Sequence, residues 1–163
     1  MKLQNPFLLC IFLALAIYCH KKDPTIDSTY KSSVKEYKLT VERGAFHYDR
    51  FELTSRKIKF FPKPNAKYGQ TKSNTISETE LDSLSTLVFF QEIEEKGFWD
   101  LKNHYQAYST CTSQLRVTLT VNGNAKTVIC DDYGAYCHDL IKYIDEKVVE
   151  FEGNDLKRIY LPG

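Results

Sequence analysis

Residues 115–130, LRVTLTVNGNAKTVIC, decide the fold. Leu115, Val117, Leu119 and Val121 alternate with Arg116, Thr118 and Thr120, the period-two pattern of a strand with one buried face. Asn122-Gly123 follows at once, and this dipeptide suits a two-residue hairpin turn because both positions tolerate positive φ. Centring the turn there puts Val128 opposite Val117 and Cys130 opposite Leu115, all on the same face.

Upstream of this hairpin the same alternation recurs. Tyr37, Leu39 and Val41 form the inward set of a strand that ends at Arg43-Gly44. Phe51 and Leu53 then face Ile58 and Phe60 across a turn at Ser55-Arg56, and Pro62 and Pro64 stop the sheet. The polar stretch 63–74 reads as a loop. Ser77 and Glu80 match a capping box, with Ile76 and Leu81 as its hydrophobic staple. Leu81, Leu84, Leu87 and Val88 predict the buried stripe of a helix that runs into Phe89-Phe90 and ends by Gly97.

Downstream, Cys137, Leu140, Ile141, Ile144, Val148 and Phe151 repeat at i, i+3, i+4, i+7, i+11 and i+14, predicting a second helix. Asp131 or Asp132 caps its start and Gly153 ends it. The predicted class is therefore α+β: an antiparallel sheet of about five strands with two helices packed on one face.

The N-terminus has another character. Phe7–Tyr18 is an uninterrupted apolar run of 12 residues behind Lys2, too short for a spanning helix but the right size for the core of a signal peptide. Cleavage after Ala14-Leu15-Ala16 would release a soluble, secreted or periplasmic chain starting at Ile17. Alternatively, Ala16-Ile17-Tyr18-Cys19 resembles the lipobox of bacterial lipoproteins, with Tyr18 where a small residue is usual and Ala16 where Leu is usual. That resemblance implies that Cys19 is the lipid-modified first residue, so that the chain is exported and held in the cell envelope by its lipid. The Ser/Thr/Lys-rich stretch after Cys19 has the composition of a tether. The expected organisation is a signal peptide over 1–18, a flexible tether over 19–35 and a single domain over 36–163.

The order of elements from about Tyr37 to Phe151 resembles small bacterial protease-inhibitor domains of the emfourin type, and equally some domains of bacterial lipoproteins. The first resemblance implies an inhibitor of a secreted or envelope peptidase.

Lysine and arginine number 22 against 21 acidic residues, so no overall field gathers nucleic acid, and no nucleic-acid partner is expected. Once Cys10 leaves with the signal segment, Cys111, Cys130 and Cys137 remain besides Cys19. The hairpin register turns Cys130 into the core and extrapolates Cys111 to a position opposite Gly134, near Cys137. A Cys111–Cys137 disulfide is thus expected, the plain alternative being three reduced thiols. His104, Asp131, Asp132 and His138 are candidates for a metal-dependent enzyme, but their spacing matches no ligand motif and exposed polar residues explain them more simply. Phosphate loop, nucleophile elbow and zinc-protease motifs are lacking, so neither catalysis nor a cofactor is expected.

The loop 97–113 remains, carrying Phe98, Trp99, Tyr105 and Tyr108. Phe98 and Trp99 suit the core; Tyr105 and Tyr108, interleaved with polar residues, suit a binding surface. The function expected is an envelope-anchored, non-catalytic binding module whose partner is a protein or a small ligand. If Cys19 carries lipid, Cys19→Ala will shift the protein from the membrane to the soluble fraction. An unmodified mature chain starting at Ile17 would contradict the anchor.

Overall fold

The computed structural model describes residues 35–44, 49–62, 75–108 and 113–156. The signal segment, Cys19, the tether to residue 34 and Cys111 lie outside the described residues. Residues from Lys35 onward form one compact unit.

Seven strands make one sheet: β1 Tyr37–Arg43, β2 Arg50–Thr54, β3 Lys57–Phe61, β4 Ser77–Glu80, β5 His104–Tyr105, β6 Leu115–Val121 and β7 Asn124–Cys130. Helix α1 spans Ser83–Glu95 and helix α2 Asp139–Glu152. The spatial order is β4-β3-β2-β1-β6-β7-β5. All neighbours are antiparallel except β5 and β7. The protein is α+β as its patterning predicts, but the sheet is mixed and wider than five strands, because short polar segments were added at both edges.

The three middle strands and their hairpins follow the alternation. Val117 pairs with Val128 and Leu115 with Cys130, across a turn in which Asn122 and Gly123 take φ of 50° and 84°. Phe51 pairs with Phe60 and Leu53 with Ile58. Between the two hairpins β1 pairs with β2 on one side and β6 on the other, so Leu39 sits between Leu53 and Leu119, and Val41 between Phe51 and Val117. All of these side chains are buried and belong to one core cluster with the inward residues of both helices. Each fully buried large side chain stabilises the fold by about 1.5–3 kcal/mol through apolar area removed from water. On the opposite face Thr118 and Thr127 hydrogen-bond at 2.9 Å and Lys38 lies 3.9 Å from Glu52, polar pairs suited to a wetter surface.

The start of α1 departs from the sequence pattern. Ser77–Glu80 is not a capping box but strand β4, paired with β3 so that Lys57 and Lys59 both reach Glu78, at 2.9 and 2.6 Å. The cap is Asp82, whose carboxylate accepts the Ser85 amide at 2.8 Å. The buried face also differs from the predicted stripe. Thr86, Phe89, Phe90 and Ile93, at i, i+3, i+4 and i+7, point inward, whereas Leu84 and Val88 are 67% and 54% exposed. Thr86 is fully buried and its hydroxyl donates to the Ser55 carbonyl at 2.6 Å, which pins α1 over the β2–β3 turn. Phe90 stacks on Tyr37 with ring centroids 4.7 Å apart.

Polar groups fix the two helices. Glu94 accepts from the Tyr37 phenol at 2.6 Å, Lys35 at 2.9 Å and the Trp99 indole at 3.2 Å. Its burial works against ionisation, but these donors outweigh it and hold the carboxyl below its ordinary range. Tyr143 of α2 donates to Glu92 of α1 at 2.7 Å; burial and that carboxylate push its phenol up to about 12. Helix α2 buries Leu140, Ile141, Ile144 and Val148 as its periodicity predicts, leaves Phe151 half-buried, and ends at Gly153 with φ 75°.

The register of α1 separates two substitutions that the sequence alone would treat alike. Phe90→Ala is expected to destabilise the protein by ~3–5 kcal/mol, the usual cost of emptying a buried phenylalanine site. Leu84→Ala should stay within ~0.5 kcal/mol of wild type. Urea unfolding of both variants measures the difference.

Candidate functional site

The open edge beside β7 gathers most of the side chains that sequence reading singled out. After α1 the chain makes a 3-10 turn at Phe98–Asp100 and then runs parallel to β7 as the short strand β5. Phe98 is fully buried, Trp99 packs against the core, and Lys126 donates to the Trp99 and Leu101 carbonyls, both at 2.6 Å. That lysine satisfies carbonyls the short turn leaves open, and so fixes where β5 begins. Bonds from the Ile129 amide to the Asn103 carbonyl, 2.9 Å, and from the Asp131 amide to the Tyr105 carbonyl, 3.0 Å, lock β5 in place.

Pairing His104 with Ile129 and Tyr105 with Cys130 sends the two side chains to opposite faces. On the face away from the helices, His104 Nε2 meets Asp131 Oδ1 at 2.8 Å, and Gln114 Nε2 reaches the same oxygen at 3.4 Å. Burial pushes the Asp131 carboxyl up, but hydrogen bonds from His104, Gln114 and the Ala107 backbone, with the electrostatic pull of His104, hold it below its ordinary value. Asp131 thus ties together β5, the approach to β6 and the end of β7. It caps no helix. The cap of α2 is His138, whose Nδ1 accepts the Leu140 amide at 3.1 Å. Asp132 instead closes a turn, accepting from the Gly134 and Ala135 amides at 2.9 and 3.2 Å.

On the helix face, Tyr105 is half-buried and its ring lies 5.7 Å from that of His138. Tyr105 packs against the core, so it belongs only partly to the surface. Tyr108 is 95% exposed, and its ring meets that of Tyr136 edge-to-face at a centroid distance of 5.7 Å. Tyr136 is itself 40% exposed. Sequence reading passed over Tyr136 and gave His138 only to a metal site. The one available signal was their position on either side of Cys137, since irregular loops carry no periodicity.

The disulfide also differs from expectation. Cys137 is bonded to Cys130, with Cα atoms 5.1 Å apart, and not to Cys111. The hairpin register behind the expected Cys111–Cys137 pair is correct and Cys130 does point into the core. The error lay in treating an inward cysteine as unavailable. Cys130 and Cys137 both belong to the core cluster, and the chain passes Cys137 just before entering α2. Bridging residues seven positions apart closes a small loop, which by the chain-entropy relation contributes about 2.5 kcal/mol.

His104, Asp131, Asp132 and His138 do not converge: His104 contacts Asp131, while Asp132 and His138 bind backbone amides. Among the described residues, no group of three or more His, Cys, Asp or Glu is arranged to hold a metal ion, and no helix is long and apolar enough to cross a membrane. Comparison with known protein families, with curated proteins and with solved structures finds no match for this chain.

The Asp131 arrangement makes stability depend on acid. A carboxyl held below its unfolded value stabilises the fold above the unfolded pKa of about 3.9, and that contribution disappears as pH falls through the lower folded value. Asp131→Asn is expected to cost ~1–3 kcal/mol near neutral pH. In urea unfolding series, the gap between variant and wild type should narrow steadily as pH falls below about 4.

Proposed function

We propose that this chain is an envelope-anchored, non-catalytic binding module that presents the edge at β5 to a protein or small-ligand partner, with lipid on Cys19 as its anchor. The observation that carries this reading is Tyr108, 95% exposed yet held edge-to-face against Tyr136. An exposed tyrosine ring offers a large contact area with only two side-chain torsions to order when a partner covers it, so more of the contact energy survives as affinity. The two rings come from segments anchored to the sheet by Asp131 and by the Cys130–Cys137 bridge, which gives the surface a rigid base. The apolar run at 7–18, the lipobox-like segment ending at Cys19 and the polar stretch behind it support the anchor. A tethered domain of this kind acts by offering a surface.

The test is capture from envelope fractions of the producing cell. The double variant Tyr108→Ala, Tyr136→Ala should unfold at nearly the wild-type temperature and bind the captured partner at least five-fold more weakly, a loss of about 1 kcal/mol or more. Unchanged capture would remove these rings from the contact. Turnover of a substrate that depends on His104 or Asp131 would replace the binding reading with catalysis.

A further inference from the structure

We propose that the Cys130–Cys137 disulfide is a redox latch for the aromatic surface: the oxidised chain displays the Tyr108–Tyr136 pair, and the reduced chain keeps its fold but loses it. This rests on the binding reading above and names its regulation.

The latch is a matter of position. Cys137 stands between Tyr136 and His138, and those two residues supply one ring of each aromatic pair. The other ring of each pair, Tyr108 or Tyr105, comes from the β5 segment, which is fixed independently through Asp131 and the ladder to β7. The bridge is therefore the covalent link beside Tyr136 that sets it against Tyr108, whereas His138 is also held by its place as the cap of α2. Without it, the segment between β7 and α2 is held at its start by Tyr133, which packs against the core and whose amide donates to the Ser113 carbonyl at 3.3 Å, and nearer Tyr136 by turn-type contacts: the Asp132 carboxylate to the Gly134 and Ala135 amides, the Tyr136 amide to the Asp132 carbonyl at 3.2 Å, and Lys142 to the Gly134 carbonyl at 3.1 Å. Gly134, Ala135 and Tyr136 are exposed, so water competes for these bonds.

The core does not share this dependence. Cys130 ends its strand and Cys137 precedes the cap of α2, so the bridge lies at one end of the cluster, while Leu39, Val41, Val117 and Leu119 fill the sheet centre with no sulfur among them. Reduction is a thiol–disulfide exchange with a dithiol reductant. One thiolate of the reductant attacks a bridge sulfur, and the other cysteine leaves as a thiolate and takes up a proton. The second thiol of the reductant then displaces the first cysteine. The protein gains two electrons and two protons as thiols, and the dithiol becomes a disulfide. Cys137, at 7% exposure against 0% for Cys130, is the more accessible target.

The experiment follows ring contacts and amide exchange by NMR in the purified full chain, oxidised, reduced with dithiothreitol, and as Cys137→Ala, after peptide mapping of the oxidised form. The expected result is a Cys130–Cys137 peptide, unchanged protection of β1 and β6 amides in all three samples, loss of the Tyr108–Tyr136 contact on reduction, and at least ten-fold faster exchange across residues 132–137. Retention of the contact in the reduced protein would overturn the proposal, because the turn contacts alone would then suffice. Loss of β1 and β6 protection on reduction would overturn it too, by making the bridge a staple of the whole fold. Should Cys137→Ala not fold, the reduced wild-type protein decides. None of these readouts involves a partner, so they stand or fall separately from the binding reading.

Discussion

The pairing of β1 with β6 is the constraint on which the remaining structure depends. Tyr37 aligns with Val121, and the ladder runs through Leu39–Leu119 and Val41–Val117 to Arg43–Leu115. Those partners are far apart in sequence, Tyr37 from Val121 and Arg43 from Leu115, so more than half of the domain must be looped out before they meet, and the loop-closure entropy falls on this contact. Both hairpins are local and can form early. Joining them side by side creates the continuous apolar face that α1 and α2 cover, and neither helix has an adequate surface to bury against until the join exists. A buried ion pair stands at the end of this ladder, where Arg43 is held by Asp49, with Nε donating to Oδ1 at 2.8 Å. Both residues are almost wholly buried, so replacing either one takes this ion-pair contact away from a buried charge.

How much of this was legible in the sequence depends on whether a pattern had competitors. The alternation in β1, β6 and β2–β3 has period two and no rival period, and the turns have chemistry of their own, so pairs such as Val117–Val128 emerge correctly. Helix α2 is equally plain, because its apolar positions form one stripe. In α1 two stripes coexist: Leu84 and Val88 form one, Thr86, Phe89, Phe90 and Ile93 the other. Propensity cannot rank them. The choice is made by β4, which takes Ser77–Glu80 into the sheet and leaves Asp82 to start the helix. β4 itself carries no hydrophobic signal. Its place comes from backbone pairing and from Lys57 and Lys59 facing Glu78, an example of tertiary context overriding a local motif.

The candidate surface was half visible for the same reason. Tyr108 can be singled out as an aromatic residue in a polar loop, whereas the approach of His104 to Asp131 comes from the pairing of β5 with β7, which no sequence pattern marks. The contribution of Tyr136 and His138 depends on where the chain turns after β7, and that turn has no repeating pattern to read. Cys130 shows a subtler limit: its inward direction was correctly inferred, but direction alone says nothing about what arrives from the other layer.

The turn at Asn122 has a mechanical consequence. Its side-chain oxygen accepts the Glu36 amide at 2.8 Å and its own amide donates to the Glu36 carbonyl at 2.9 Å, so the chain is clasped on both sides of its backbone just before it enters β1. β1 is an interior strand, hydrogen-bonded to β2 and β6 along its length. Any pull on the chain preceding Lys35 therefore meets this clasp first and then two ladders loaded together, where an edge strand such as β4 would peel away one bond at a time. Tension entering from the N-terminal side would thus load interior ladders and leave the aromatic edge at β5, two strands further across the sheet from β6, outside the line of force.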